Sequence, residues 1–536
     1  MSTIKCVQCK RDKSVLDYDQ DRHGAPRKTC QSCLQCQREQ RRVRAESRQI
    51  QANQNIERAP IQPVGTIAPL AFISSRLYWN RLELGNMNVV CSSCHALHWL
   101  GECVGGTAAA PTFQSCCKKG DVILPAIKRA PPYLQYLLES LDTIARQFRT
   151  NIREYNGALT FTSVKFTADN RPAAQNGGIT CFQIHGELFH MQGPLQPAPN
   201  TTPCFAQLYF YDPIYASQIR HSAHPRLNLE ILQRITAELN TVNPFITLYK
   251  TAKERLDSLP AGESNARVLL NPQLQLIIES DADKRRNNLP TSYEIAIIIP
   301  DEYDQAGFRD IVLANRNPDP NTAFSIINPN HAAYMPLHYV LLFPNGDLGW
   351  HWSLQLRNEM QLRKNLRLSQ RAFYRYRLHS RVDEPRTIFQ AQRLFQQYLV
   401  DAWAACDQNK LNWIRLNQGQ LRSDLYNDLS DAMLRDDFSA EQTGKRIILP
   451  SSYSGGDRYM QQLYQDSMAI VRHFGRPSLF ITFTANPKWK EITDELLPGQ
   501  SPVDRPDLIA RVFHLKQQQL LQELVMAAMW FGYARC

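Results

Sequence analysis

The sharpest alternation of apolar and polar positions lies between 454 and 487. Met460, Leu463, Tyr464, Met468, Val471 and Phe474 recur at steps of three and four, the spacing of one helical face. Ser454, Gly455, Gly456 and Asp457 precede them as turn chemistry, and Asp457 is placed to cap the free N–H groups of the first turn. Gly475 and Pro477 predict the stop, the first as a left-handed cap and the second as a residue that cannot continue a helix. Leu479, Ile481 and Phe483 then alternate with Phe480, Thr482 and Thr484, which predicts a short strand ended by Asn486 and Pro487.

Elsewhere the same reasoning predicts helices and short strands in mixture. One helical face gathers Leu134, Leu137, Leu138, Leu141, Ile144 and Phe148, and further helices are expected at 227–239 and 244–259. From Arg393 two or three helices follow, with Leu394, Tyr398, Ala402 and Trp403 on one face, and a last helix runs from Pro506 to about Phe531. Runs rich in β-formers and bounded by Asn, Gly and Pro occur at 158–166, 180–191 and 205–211, then at 274–278, 294–299 and 308–313. The run 295–299 is apolar on both faces, which puts it at the centre of a sheet. The fold class is therefore α+β, with an antiparallel sheet covered by helices on one face.

Composition adds the chemical setting. A chain of 536 residues, 43% hydrophobic and 21% charged, is that of a folded protein with several domains. No apolar run approaches the ~20 residues of a membrane helix. The N-terminus lacks the apolar core of a signal peptide, so an intracellular, nuclear protein is expected. A net charge of +11 favours an acidic partner, and nucleic acid is the commonest one for a basic chain. Fourteen cysteines in a chain without a secretion signal point to metal sites rather than disulfides.

Two cysteine groups have metal-ligand spacing. Cys6, Cys9, Cys30 and Cys33 form two CxxC pairs that can close tetrahedrally on one zinc, with Cys36 able to replace Cys33. Behind them Arg38, Arg41, Arg42 and Arg44, with Arg48 beyond, lie on an expected short helix suited to phosphates, and 51–63 reads as a linker. Cys91, Cys94, Cys116 and Cys117 are the expected ligands of a second zinc, with His98 and Cys103 as substitutes. Arg371, Arg375, Arg377 and Arg381 are interleaved with Phe373, Tyr374 and Tyr376, a mixture that suits either a nucleic-acid surface or a helix packed on a sheet. His185 and His190 lack the paired spacing of a metal site, and His331, His338 and His351 read as structural.

The run 449–489 resembles the start of the replication-initiator (Rep) module of Helitron transposases, the rolling-circle transposon proteins, and 479–487 resembles its first strand motif. Similar phrases stand at 87–103, 113–125, 151–156, 182–195 and 330–352; the likeness covers most of the chain from Leu70 onward and is strongest at 393–516. The resemblance implies a DNA nickase with a helicase, whose His-hydrophobic-His strand binds a divalent metal and whose tyrosines attack DNA. No His-x-His occurs in this sequence: His95 and His98, like His221 and His224, are separated by two residues. No GxxxxGK[ST] loop exists around Gly444 and Lys445, no Gly-x-Ser-x-Gly elbow appears, and Tyr453, Tyr459 and Tyr464 precede the strand motif rather than follow it.

The expectation is a DNA-binding N-terminal part of such a transposase, stopping before the histidine strand and lacking nuclease and helicase activity. Its DNA would be single-stranded or the transposon ends; the alternative is a standalone zinc-dependent regulator that binds nucleic acid. The expected order is a zinc-knuckle module with a basic helix (1–50), a linker (51–68), a second cysteine-rich zinc region (69–130), an α+β domain (131–356), and a helical segment with an incomplete Rep-like α+β domain (357–536). Within the last, 479–484 would be a central strand, in the least secure part of the fold.

Overall fold

The computed structural model describes residues 3–6, 12–14, 17, 29–35, 82–107, 110–168, 184–197, 200–257, 267–270, 276–279, 311–315, 325–357, 366–418, 447, 449–477 and 480–526. The chain forms two compact units, Met1–Trp79 and Asn80–Cys536. Cys9, Cys36, the arginines at 38, 41, 42, 44 and 48, the linker and the strand expected at 294–299 lie outside the described residues. In the first unit β1 (Thr3–Lys5) pairs antiparallel with β2 (Asp12–Ser14), and a helical turn covers 31–35.

The second unit opens with two small antiparallel hairpins, β3 (Val89–Val90) with β4 (Leu97–His98) and β5 (Gly105–Thr107) with β6 (Ala110–Thr112). Three helices follow: α1 (Pro132–Glu139), α2 (Thr143–Thr150) and α3 (Ile152–Leu159). The N-terminus of α1 is satisfied from far away, because the Glu238 carboxylate accepts from the N–H groups of Tyr133 and Leu134 at 2.7 and 3.1 Å. After β7 (Ser163–Ala168) and β8 (Ile184–Gln192) come α4 (Pro213–Ala223), α5 (Leu229–Val242) and α6 (Pro244–Asp257). Local side chains start two of them: Asp212 caps α4 and Asn228 caps α5.

Strands β9 (Arg267–Leu270), β10 (Leu276–Glu279) and β11 (Ile311–Asn315) form an antiparallel sheet in the order β10-β9-β11. β12 (Ser325–Ile326) adds to β8, giving a second antiparallel sheet ordered β12-β8-β7. The remaining helices are α7 (Tyr334–His338), α8 (Gln370–Arg377), α9 (Thr387–Gln390), α10 (Gln392–Leu416), α11 (Asp457–Phe474), α12 (Lys490–Thr493) and α13 (Pro506–Met526). The architecture is α+β, as expected. None of the described helices is long and apolar enough to cross a membrane.

One continuous core runs from Cys91 to Ala405 and includes Phe113, Phe148, Phe161, Tyr249, Leu342, Phe395 and Tyr398. The boundaries expected at 130/131 and 356/357 therefore fall inside a shared core. A smaller cluster of Met87, Trp99, Ile492, Leu508, Val512 and Leu515 joins the start of this unit to α13. At the centre Asp401 of α10 is fully enclosed: its carboxylate accepts from His190 Nε2 at 2.6 Å, Tyr339 OH at 2.7 Å and Tyr334 OH at 3.2 Å. Burial alone would raise Asp401, but His190 and the tyrosine hydroxyls hold it below the ordinary carboxylate range.

Several expected elements differ. The apolar face of 134–148 is split between α1 and α2, because Asp142 caps α2 and also accepts from the Tyr136 and Ser140 hydroxyls, leaving Leu141 and Ile144 exposed. The run 205–211 is not a strand but a 3-10 turn, Phe205–Phe210, closed by the Gln207 side chain accepting from Cys204 N. At 158–166 the end of α3 takes the first residues, so β7 starts only at Ser163. The residues from Arg393 to Leu416 form one helix instead of two or three, and Trp403 faces solvent while Leu394, Tyr398 and Ala402 are buried. Helix α4 and strand β9 had no forecast.

The stretch 457–484 departs most. Helix α11 forms where expected, but its N-cap is Gly456, and Asp457 sits in the first turn, where its charge favours the helix dipole without a capping bond. Gly475 ends it with φ +87 and ψ −171, an extended mirror-image conformation open to glycine alone rather than a left-handed helical cap. No residue of α11 is buried. From Phe480 to Asn486 the chain is not a strand, and Phe480 is 93% exposed. A strand exists only with hydrogen-bonded neighbours, and no described strand pairs with this run.

Candidate metal centre

The second unit brings Cys91, Cys94, Cys116 and Cys117 together as the spacing predicts. Cys91 and Cys94 sit at the tip of the β3–β4 hairpin, where Cys91 N donates to Ala96 O at 2.8 Å and His95 N to Cys91 O at 2.9 Å. His95 takes a positive φ of 57° to close that turn. Cys116 and Cys117 lie in the turn after β6. The sharp reversal needed to aim adjacent cysteines at one point comes from Lys118, Lys119 and Gly120, at φ of 50, 62 and 97°. Backbone bonds from Gly120 N and Val122 N to Cys117 O, at 3.1 and 3.0 Å, lock it.

All four sulfurs are buried and lie within 4.8 Å of one another. The Cys91–Cys117 and Cys116–Cys117 sulfur separations are 3.8 and 3.7 Å. A disulfide would need about 2.05 Å, whereas four thiolates about 2.3 Å from a central zinc stand about 3.8 Å apart. The donor set and its spacing thus fit a tetrahedral metal ion. Hydrogen bonds from Cys116 and Cys117 lower Cys91 and Cys94, the latter to about 7. Cys116 is raised by Cys117, Cys91 and Cys94; Cys117 is lowered by Cys116 but raised on balance by Cys91 and Cys94. Buried thiolates so close repel one another, and a divalent cation at their centre removes that conflict.

Groups around the sulfurs supply positive charge and donors. Gly120 N donates to Cys117 Sγ at 3.2 Å. Arg381, buried, donates through Nε to Cys94 O at 3.0 Å, and its Nη2 lies 4.0 Å from Cys94 Sγ. The guanidinium is held over the Tyr376 ring at 3.5 Å and by Glu384 at 3.3 Å. The substitute ligands are engaged elsewhere. His98 stacks on Phe113 at 4.0 Å with Nδ1 2.7 Å from Glu102, and Cys103 Sγ donates to Gly105 O at 2.9 Å. Arg511 of α13 binds the same Glu102 carboxylate at 2.5 and 2.7 Å. Glu102 is pushed down to about 2, the pull of Arg511 and His98 outweighing its burial.

In the first unit Cys6, Cys30 and Cys33 also converge, with sulfurs within 4.8 Å of one another. Cys30 N donates to Cys6 Sγ at 3.4 Å, and a hydrogen bond from Ser32 lowers the Cys30 thiol. This cluster is equally compatible with a metal ion, and Cys9, its expected fourth ligand, lies outside the described residues.

Helix α8 packs beside the second cluster and divides the arginines of 371–381. Phe373, Tyr374 and Tyr376 are buried and belong to the core, so they are not free to stack on bases. Arg377 is buried too, donating to Pro125 O at 2.8 Å and Glu384 at 3.1 Å, which takes it out of any DNA-contacting set. Arg371 and Arg375, one turn apart, remain exposed, and Arg375 is close enough to Cys116 to feel its charge. Exposed Lys119 and half-buried Lys118 project from the cysteine turn, and the Arg357 N–H donates to Asp121 O at 2.8 Å in the same turn. Among the described residues, no carboxylate stands within salt-bridge distance of Lys118, Lys119, Arg371 or Arg375. The sequence offered the lysines next to Cys117 as a signal; Arg357, Arg381 and Glu384 had none, being brought in from more than two hundred residues away.

The histidines are structural where described. His331 Nε2 donates to Leu270 O at 3.2 Å, His338 pairs with Thr160 at 3.2 Å and is pushed down to about 3 by burial, and His351 bonds Ser353 at 2.6 Å.

The class defined by fold and site is an α+β protein with cysteine clusters suited to metal and a cationic face beside one of them. Residues 373–535 match the family model of the Helitron helicase-like domain at N-terminus, and over this segment the chain is Helitron-like. No curated protein matches the chain.

Proposed function

We propose that this chain is a zinc-stabilised, DNA-binding part of a Helitron-like rolling-circle transposase, acting in the nucleus on single-stranded DNA or transposon ends. The observation that carries the reading is the cysteine cluster that staples two hairpins against α8, beside Lys118, Lys119, Arg371 and Arg375, which have no carboxylate partners among the described residues. Cations held in this way on a rigid scaffold are what a phosphate backbone recruits. The Helitron match over 373–535 supports the same partner. Zinc would be held by Cys91, Cys94, Cys116 and Cys117, and in the first unit by Cys6, Cys9, Cys30 and Cys33, with the arginines at 38, 41, 42 and 44 as a second phosphate-binding row. Bound zinc would fix backbone geometry, leaving the cations to do the binding.

The chain would bind DNA without cutting it, because no His-x-His pair and no phosphate-binding loop occur in the sequence. Anisotropy of a labelled DNA oligonucleotide over a salt series tests the reading. The slope of log affinity against log salt should be steep and should become shallower by about one in Arg371→Ala and again in Arg375→Ala. Binding should collapse on zinc chelation. A flat slope overturns the reading. Metal analysis should give two zinc per chain, falling to one in Cys94→Ser. Cleavage of single-stranded DNA with magnesium or manganese, abolished by a point mutation in this chain, would overturn the claim that it does not cut.

A further inference from the structure

The cationic face ends at a tryptophan on the surface of the second unit. Trp352 is 40% exposed. It meets buried Trp350 edge to face, with centroids 5.0 Å apart, and Trp350 is fixed by its Nε1 donating to Leu368 O at 2.8 Å. The Arg367 guanidinium lies 5.4 Å from the Trp352 ring centre. A short ladder positions the pair: Leu356 N donates to Leu366 O at 2.6 Å, Leu368 N to Leu354 O at 2.9 Å, and Gln355 bridges Arg367. Directly after this ladder Ser369 caps α8, so Arg371 and Arg375 continue the row of positive charge at steps of four residues from Arg367. The exposed tryptophans Trp403 and Trp413 lie instead on α10, and no described cation stands over either ring.

We propose that Trp352, with Arg367, is a subsite for an unpaired base of a single strand whose phosphates run along Arg371 and Arg375. The inference rests on the nucleic-acid reading above and narrows it. In a duplex every base face is covered by its neighbours, so an indole on a rigid surface cannot stack on one. In a single strand the base can turn out onto the indole and the guanidinium plane, while the backbone meets the arginines. A rigid aromatic beside a cation row offers stacking without sequence preference, since every base has a π-face.

The test uses the full zinc-loaded chain with a labelled oligo-dT strand and a duplex of equal length. Trp352→Ala should lower the ratio of single-strand to duplex affinity about tenfold, Trp352→Phe should keep most of it, and Trp403→Ala should leave both affinities unchanged. A ratio unmoved by Trp352→Ala, with binding intact, overturns the subsite and leaves the nucleic-acid reading standing; failure of the unmodified chain to bind either DNA overturns both. Should the alanine variant fold poorly, photo-crosslinking of the unmodified chain to a bromouridine-substituted strand decides: crosslinked peptides should contain Trp352, and crosslinks confined to other regions overturn the subsite.

Discussion

Helices α10 and α11 lie in the same Helitron-like segment and both show an apolar face in sequence, yet they meet opposite fates. Helix α10 buries Leu394, Phe395, Tyr398, Asp401, Ala402, Ala405 and Ile414, and carries at Asp401 the polar centre of the core. Helix α11 buries nothing, and Met460, Leu463, Tyr464, Ile470 and Phe474 are all exposed. Its entry is nonetheless secured, since the Tyr453 hydroxyl donates to Asp407 of α10 at 2.7 Å and Lys410 lies over the Tyr453 ring. What separates the two helices is the supply of partners: β8, α7 and α3 close on α10, and no described element closes on the apolar side of α11. Periodicity forms a helix, but only a partner turns its apolar face into stability.

The contrast can be broken by substitution. Asp401→Ala should show the largest effect, because it strands the His190 imidazole and two tyrosine hydroxyls in a dry core; a loss of about 3–5 kcal/mol in urea unfolding is expected, and a loss under about 1 kcal/mol would mean that the network contributes little. Leu394→Ala should follow at about 2–5 kcal/mol through the cavity it leaves.

Helix α13 sharpens the contrast, being held to the β4 region by Arg511 on Glu102. The folded-state pKa of Glu102 is depressed to about 2, from an ordinary value of 4.5. Its contribution is therefore present above about pH 4.5 and lost as pH falls through about 2, amounting to about 3 kcal/mol at most. Unfolding measured from pH 6 to pH 2 should lose that amount in the unmodified chain and less in Glu102→Gln; equal slopes would disprove the assignment. Smallest of all, Leu463→Ala on α11 should change stability by no more than about 0.5 kcal/mol. Amide exchange gives an independent reading, with α11 exchanging through local opening and α10 only through global unfolding; equal protection would erase the difference between the helices.

The cysteine clusters were legible because metal-ligand spacing is written in short stretches of chain, two pairs at a time. The division of the arginines was partly legible: on a helix Arg371 and Arg375 share one face while Phe373 and Arg377 share another, so the period alone separates surface from core once 370–377 is read as helical. The mixture of Arg and aromatic residues, taken as composition, hid that separation. The strand expected at 479–484 shows the opposite error. Alternation fits a strand only if a neighbour supplies hydrogen bonds, and Phe480 to Phe483 have none to pair with among the described residues.

By itself the sequence determined where the chain turns helical over 229–242, 244–257, 457–474 and 506–526, and which cysteines could meet at a metal. The tertiary structure decided what those elements are worth. It set Glu238 on the start of α1, buried Arg377 and Arg381 against Glu384, and brought His190 to Asp401 across 211 residues of chain. Local periodicity records which side of an element is apolar, whereas burial depends on a second surface from elsewhere in the chain, and no stretch of sequence carries its partner's position.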